Sequence, residues 1–363
     1  MTGGPTMHVT NNLHGGGAER LLTNLVTQQS SAGRDCVVCL HGEGVFRPAL
    51  EAAGVEVIDL GVRHRRDAPG GLLKFARLIR RRSPAVVQGW MYHANVFAFL
   101  ALRLAGRRGT RLIWGIYNSD IYGNQSTWKN LGGLGKLLSP YVDGVVYNAE
   151  QARDFHRSFG FHEPRSLVIP NCLDTQKFRR DLALRAPARY ELGVPEDAVM
   201  VLTVARVDPM KDWAGVLEAV RDIPGVVTVG AGKGTDELPR QPGFVGLGWR
   251  EDVQRLLSAA DIFLLASSFG EGTSVALAEA MSCGLPCVVT DVGGNGTFVG
   301  DAGVVVPPRH VSAVREALLR LARDAGLRKR MGRAARERVS VGHSADEVAA
   351  ILEAFTQSAG GAA

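Results

Sequence analysis

Short apolar runs recur along this chain with amphipathic segments between them, and the period of each decides which element it predicts. Runs of four to seven apolar residues bounded by Gly, Pro, Asn or Asp fit strands buried on both faces; strands with one wet face would alternate. In the first half these runs predict strands near Met7–Asn11, Asp35–Leu40, Val55–Leu60, Ala85–Gln88, Arg111–Gly115, Asp143–Tyr147 and Ser166–Ile169. Helices fall between them, notably Ala18–Gln29 and Gly71–Arg82. Pro170 to Pro187 interrupts the pattern and predicts the crossing to a second domain. A second alternation starts at Val199–Ala205 and continues near Val226–Gly230, Gly243–Val245, Asp261–Ala266, Pro286–Thr290 and Gly303–Val306. From Val311 onward the pattern is helical, and the final Gly-Gly-Ala-Ala is expected to fray.

Strand and helix alternating in this way predict parallel sheets with crossover helices. The fold class is therefore α/β, with an N-terminal Rossmann-like domain over 1–175 and a C-terminal one over 185–340. A chain of 363 residues can bury a core in each.

Composition changes the picture little: 45% apolar and 21% charged residues are ordinary for a globular protein. No apolar run reaches the roughly 18 residues of a spanning helix, and the longest, Val96–Ala105, contains Arg103. The N-terminus lacks a signal-peptide pattern, so a cytoplasmic protein is expected. Five cysteines form no disulfide framework, and Cys36-Val-Val-Cys39 lies in an apolar run without a second ligand pair, which favours packing over redox or zinc chemistry. Charge is more informative. Through Thr175 there are 20 Lys/Arg against 13 Asp/Glu, and beyond it 22 against 23. Arg63, Arg65, Arg66, Lys74, Arg77 and Arg80 to Arg82 concentrate the excess. A basic first half suits an anionic membrane surface or a pyrophosphate-bearing acceptor, with a solvated face as the plain alternative. No nucleic-acid motif accompanies it.

The densest chemistry lies between Asp261 and Asn295. A buried strand leads through Ser-Ser-Phe-Gly to Glu271, then to a helical segment holding Glu279, with Thr273 or Ser274 placed as its cap and Gly284-Leu-Pro286 as its stop. At 1.5 Å per residue the two carboxylates would lie about 12 Å apart along the axis. Amides of Gly272, Thr273, Ser274 and Val275 at the helix start would face an anion between them. A second strand then runs into Asp291-Val-Gly-Gly-Asn295. This succession resembles the Glu-x7-Glu signature of family 4 retaining glycosyltransferases, whose GT-B fold sets two Rossmann-like domains facing each other across a cleft.

Other segments extend the resemblance. Gly15-Gly16-Gly17-Ala-Glu-Arg20 is similar to the family's glycine loop at the cleft, although a plain tight turn also explains it. His93 follows the fourth strand, and the resemblance implies a contact with the transferred sugar. Asn148-Ala-Glu150 and Val168-Ile-Pro-Asn-Cys-Leu-Asp174 resemble hinge-side segments, with Ala149 and Cys172 departing from the pattern. Arg206 and Lys211 resemble the cations that grip the donor diphosphate; fixed cations can stabilise its departure without a metal. Val229-Gly-Ala-Gly-Lys-Gly-Thr235 lacks Walker spacing and instead resembles a donor-side turn, and Leu247 lies in a segment that borders the base. Thr297 stands where the family commonly has Glu.

The resemblance implies a retaining, metal-independent transferase that moves a sugar from a nucleotide-diphosphate donor, a UDP-sugar by family frequency, to a glycan or lipid-linked acceptor hydroxyl. In it Glu279 holds the ribose, Glu271 orients the sugar, and Arg206 and Lys211 stabilise the leaving diphosphate. No cofactor is implied beyond the nucleotide sugar as substrate, and no metal. The 35 arginines against 7 lysines suggest a GC-rich bacterium, hence cell-surface polysaccharide assembly, and the basic first half suits peripheral attachment at the inner membrane face. A GT-B sugar-nucleotide 2-epimerase and a noncatalytic nucleotide-sugar sensor remain as alternatives. A dehydrogenase fits poorly, because the glycine loop lacks Gly-x-Gly-x-x-Gly spacing. The C-terminal helix, about 344–358, is expected to return to the first domain.

Overall fold

A computed structural model describes residues 5–28, 35–119 and 126–357, the side chains of 28, 126–130 and 357 excepted. Gln29, residue 358 and the terminal Gly-Gly-Ala-Ala, on which expectations were placed, lie outside the described residues. The chain divides into two compact units. One holds the described residues up to Cys172 and again from Ser344; the other runs from Leu173 to His343.

The first unit contains β1 (Thr6–Thr10), α1 (Gly17–Gln28), β2 (Cys36–Cys39), α2 (Arg47–Ala52), β3 (Glu56–Asp59), α3 (Ala68–Arg82), β4 (Val86–Trp90), α4 (Met91–Ala105), β5 (Arg111–Ile116), α5 (Ser126–Leu138), β6 (Gly144–Tyr147), α6 (Glu150–Phe159) and β7 (Ser166–Val168). Its strands form one sheet in the order β3-β2-β1-β4-β5-β6-β7, with every pair parallel. Each central strand supplies two cores. Trp114 and Tyr147 join Phe75 and Phe97 on one face, while Ile113 and Val146 join Leu21 and Leu25 on the other. That double burial is why the strand runs read as continuously apolar.

The same logic disposes of the Cys-x-x-Cys pair. Three residues apart on a strand, Cys36 and Cys39 point to opposite faces, and each packs in a different core. Burial pushes the thiols up to about 11 and about 12, respectively.

The second unit contains α7 (Leu182–Glu191), β8 (Val199–Val204), α8 (Trp213–Val220), β9 (Val226–Ala231), β10 (Phe244–Gly246), α9 (Val253–Ala259), β11 (Ile262–Leu265), α10 (Val275–Ser282), β12 (Cys287–Thr290), α11 (Asn295–Val299), β13 (Gly303–Val306), α12 (Val311–Arg323) and α13 (Ala325–Arg338). Its parallel sheet runs β10-β9-β8-β11-β12-β13. A last helix, α14 (Ala345–Gln357), belongs to the first unit and buries Val348, Leu352 and Phe355 in the core it shares with α1.

One boundary needs correction. The predicted crossing ran to Pro187, but Pro187 sits inside α7 on its exposed side. The helix starts at Leu182, five residues before Pro187, because Asp181 caps it, accepting from the Ala183 amide at 2.9 Å. Arg185 and Arg189 then anchor it to Asp261 at 2.7 and 3.1 Å. These long-range ties offset the lost proline bond.

Candidate functional site

Both sheets reverse their order at an equivalent place, between β1 and β4 in one and between β8 and β11 in the other. The crevice at the carboxyl ends of such strands is where doubly wound sheets hold ligands.

In the second unit, the loop after β8 is folded by Asp208. Its carboxylate accepts from the Met210 amide at 2.9 Å and from Arg206 at 3.2 Å. The Trp213 indole donates to the Arg206 carbonyl at 3.0 Å. The resulting single turn, Pro209–Lys211, aims Lys211 at the loop after β11, and the Ser268 amide donates to the Met210 carbonyl at 2.8 Å to join the loops. Lys211 Nζ makes an ion pair with Glu271 Oε1, both side chains being largely buried. Ser267 Oγ donates to the same oxygen at 2.5 Å. Thr290 Oγ1 in turn donates to the Ser267 carbonyl at 2.5 Å, fixing that strand end.

Glu271 is also held from its backbone side. The Gly294 amide donates to the Gly272 carbonyl at 2.7 Å. Gly293 has φ of +58°, and a Cβ there would lie 1.7 Å from the Glu271 carbonyl oxygen. Only glycine fits such an approach. The following α10 carries Glu279 buried at 2% exposure and ends with Gly284 at φ of +69°, its amide bonded to Met281 at 2.9 Å.

Two expectations about α10 change. The helix begins only at Val275, so the 1.5 Å rise applies from there and the 12 Å axial separation of Glu271 and Glu279 does not hold. Ser274 occupies the cap position but makes no side-chain cap bond. Instead Asn295 Oδ1 accepts the Ser274 amide at 3.0 Å, so that amide is already engaged while Gly272, Thr273 and Val275 line the same turn. Leu247 lies half-buried against the domain core, its amide bonded to the Gly230 carbonyl at 2.9 Å.

The first unit places Gly16, Gly17 and His93 at its own reversal point. Gly16 precedes α1, and its carbonyl accepts the Arg20 amide at 3.0 Å, which starts the helix; Gly17 is the first helical residue. His93 lies in the first turn of α4, where burial holds its imidazole below the usual histidine range. Asn95 beside it bonds the Gly115 carbonyl at 3.0 Å and packs on Gly89, whose added Cβ would lie 2.3 Å from its Oδ1. Asn148 and Asn171, from the two hinge-side segments, bond at 3.2 Å. Thr297 is exposed on α11, its carbonyl accepting from Arg338 at 3.0 Å.

Sequence reasoning brought Lys211 and Glu271 to one site but missed that they pair. It also missed Asp208, Ser267, Gly293 and the capping role of Asn295. Only their position just past a strand end marks them, and that signal is shared by many loop residues.

Comparison with known proteins agrees with this architecture. Residues 15–177 match the family model described as Glycosyltransferase Family 4, and 185–338 match that of Glycosyl transferases group 1. The chain is 34% identical over 209 residues to a D-inositol 3-phosphate glycosyltransferase from Geodermatophilus obscurus, covering 49% of this chain and 46% of that protein. It thus spans about half the length of that relative. Over 94% of its length it is 29% identical to the lipopolysaccharide core biosynthesis glycosyltransferase LpsE of Rhizobium meliloti, covering 95% of it. The crystal structure of Anabaena Alr3699/HepE in complex with UDP-glucose superposes with a TM-score of 0.87 at 18% identity, over 98% of this chain and 99% of that one. The two family matches fall on successive domains that each have the doubly wound order, so the chain belongs to the family 4 glycosyltransferases and has their GT-B fold.

Proposed function

We propose that the protein transfers a hexosyl group from a UDP-sugar to a hydroxyl of a lipid-linked or cell-surface glycan precursor, with retention of anomeric configuration. The observation that carries this is the convergence of Arg206, Lys211 and Glu271 on the β8/β11 reversal point, two cations and a buried carboxylate from two loops. The UDP-glucose held by the Anabaena structure and the lipopolysaccharide role in the Rhizobium name support this choice of donor and acceptor class.

In this reading the diphosphate takes over Lys211 and engages Arg206. Charge that develops as the anomeric C–O bond breaks then meets fixed cations, and neither has to reorganise far. Glu271, still held by Ser267, accepts a sugar hydroxyl. Glu279 holds the ribose hydroxyls, and Gly272 to Val275 border the phosphates. Leu247 lies beside the base, with Gly16 and Gly17 offering backbone without a Cβ in the way. His93, kept neutral by burial, hydrogen-bonds the sugar. The acceptor oxygen forms its bond to the anomeric carbon on the face the diphosphate leaves, and its proton passes to the departing phosphate oxygen. The two cations supply the positive charge, so no divalent metal enters the scheme.

A thermal-shift screen against UDP, GDP, ADP, their sugars and NAD, without metal, tests the donor assignment. Stabilisation by UDP and UDP-sugars is expected by linkage. Stabilisation by NAD alone would overturn the reading, and binding of UDP-sugar without sugar release to any glycan acceptor would favour the sensor.

A further inference from the structure

The near-neutral total of the second half hides a strongly basic end. From Arg309 to Arg338 the sequence carries ten lysines and arginines against three carboxylates, Glu316, Asp324 and Glu337. Part of that charge lines a cavity of about 420 Å³, the size of a small-metabolite pocket. The lining brings Arg333, Arg336 and Glu337 of α13 together with Arg179 and Arg180, which precede α7. Gly284, at the end of α10, and Gly332 complete it, in such close contact that a Cβ on Gly332 would lie 2.2 Å from the Gly284 carbonyl oxygen. Neither glycine sends a side chain into the space.

The four arginines differ in what already holds them. Arg336 is committed: its guanidinium donates to the Thr175 and Phe178 carbonyls, both at 3.1 Å, and to the Ser282 carbonyl and hydroxyl at 2.7 and 2.6 Å. Arg180 reaches the Ala260 carbonyl at 3.4 Å and stands 3.8 Å from Asp261. The Asp261 carboxylate already serves Arg185, Arg189 and the Met200 amide. Arg179 and Arg333 are exposed and make no hydrogen bond or ion pair among the described residues. Glu337 lies one turn after Arg333 on the same helix, yet no ion pair joins them among the described residues. A lone arginine of this kind is an ordinary solvated cation. Two unpartnered guanidinium forks beside two held ones, around one cavity, suit an anion with two anchoring groups.

Charge and shape narrow the class. Four arginines and one carboxylate leave the lining at +3. A dicarboxylate brings less negative charge than that, whereas two phosphoryl groups bring about −3 to −4 at neutral pH. No aromatic ring lines the cavity for a base to stack on, which argues against a nucleotide.

We propose that this cavity binds a small metabolite carrying two phosphoryl groups and no base, at a site separate from the donor crevice. The separation follows from α10. That helix begins at Val275, just past the Glu271 loop, and the cavity sits at its other end, eight residues and about 12 Å along the axis. Arg179 and Arg333 each grip one phosphoryl group, while Arg180 and Arg336 add positive charge from fixed positions. The site uses no residue of the donor machinery, so it stands whether or not the donor is a UDP-sugar.

Calorimetric titration of the full chain with inorganic pyrophosphate, alone and with saturating UDP, tests the proposal. Pyrophosphate should still bind with UDP present, and about a hundredfold more weakly to Arg179→Gln/Arg333→Gln. Both side chains are exposed and unpartnered among the described residues, so this variant should fold and bind UDP as the wild type does. Succinate should bind the wild type about tenfold more weakly than pyrophosphate. Loss of all pyrophosphate binding under UDP would send the anion to the donor crevice and overturn the proposal. So would binding indifferent to the double variant, or succinate binding as tight as that of pyrophosphate. If UDP fails to bind while pyrophosphate still answers to Arg179 and Arg333, the donor reading falls and this site stands.

Discussion

The two units share a strand order and a reversal point but put opposite chemistry there. After β1 and β4 the chain sets glycines and a neutral histidine. After β8 and β11 it sets Arg206, Lys211 and Glu271, cross-braced by an ion pair, by Ser267 and by the Met210 carbonyl. The topology supplies the crevice, and the residues one turn beyond each strand decide whether it receives a charged or an uncharged group. The charged crevice also costs more to maintain, because a buried ion pair is nearly neutral when whole and expensive when halved.

The largest expected effect breaks that pair. Lys211→Ala leaves Glu271 uncompensated at 6% exposure, which should destabilise the second unit by about 4 kcal/mol and abolish turnover. Adding Glu271→Gln should recover most of the stability in urea titration and none of the activity. Retention of full stability by Lys211→Ala would show that the pair does not persist in solution.

Gly293→Ala comes next. It forces an L-residue to φ of +58° and drives a Cβ into the Glu271 carbonyl. Left-handed strain and overpacking together should cost about 3 kcal/mol. Displacement of Glu271 should lower kcat even in the fraction that remains folded. A variant that melts with the wild type would mean that this loop yields easily.

The first unit answers to pH instead. His156 is fully buried, its Nδ1–H donating to the Ala152 carbonyl at 2.6 Å and its Nε2 bonded to Tyr92. Burial lowers its pKa from 6.5 to about 4. Between those values the unfolded chain binds a proton that the folded chain refuses. Stability that is complete above pH 6.5 should therefore fall by on the order of 3 kcal/mol as the pH drops to about 4. His156→Gln should lack this increment relative to wild type in denaturation curves at pH 7 and pH 4. Parallel curves would place the proton elsewhere.

Legibility divides along the same physical line. The central strand runs were readable because a strand buried on both faces must be apolar throughout, whereas the sheet-edge strands β3, β7, β10 and β13 are only partly buried; two such alternations gave two α/β domains, and the resemblance of the Glu271 to Asn295 stretch gave the GT-B fold. Pro187 misled, since the cap at Asp181 and the Arg189–Asp261 tie that hold α7 together span up to 72 residues. Lys211 and Glu271 were each visible, but their pairing depends on two loops that only the closed sheet brings together. Asn295 was visible as part of Gly-Gly-Asn, and its task was not, because capping usually comes from the residue next to the helix.

That last residue gives the smallest and cleanest test. Asn295 is fully buried, Oδ1 on the Ser274 amide at 3.0 Å, with its Nδ2 unpartnered among the described residues. Asn295→Ala removes the acceptor and strands a buried amide, a loss of about 1–2 kcal/mol. It leaves Lys211 and Glu271 in place, so any accompanying weakening of UDP binding in calorimetry would come through the α10 start alone. If stability falls while UDP affinity holds, the phosphate environment depends on the side chains of the β8 and β11 loops and not on the helix amides, which would sharpen the contrast with the glycine loop of the first unit.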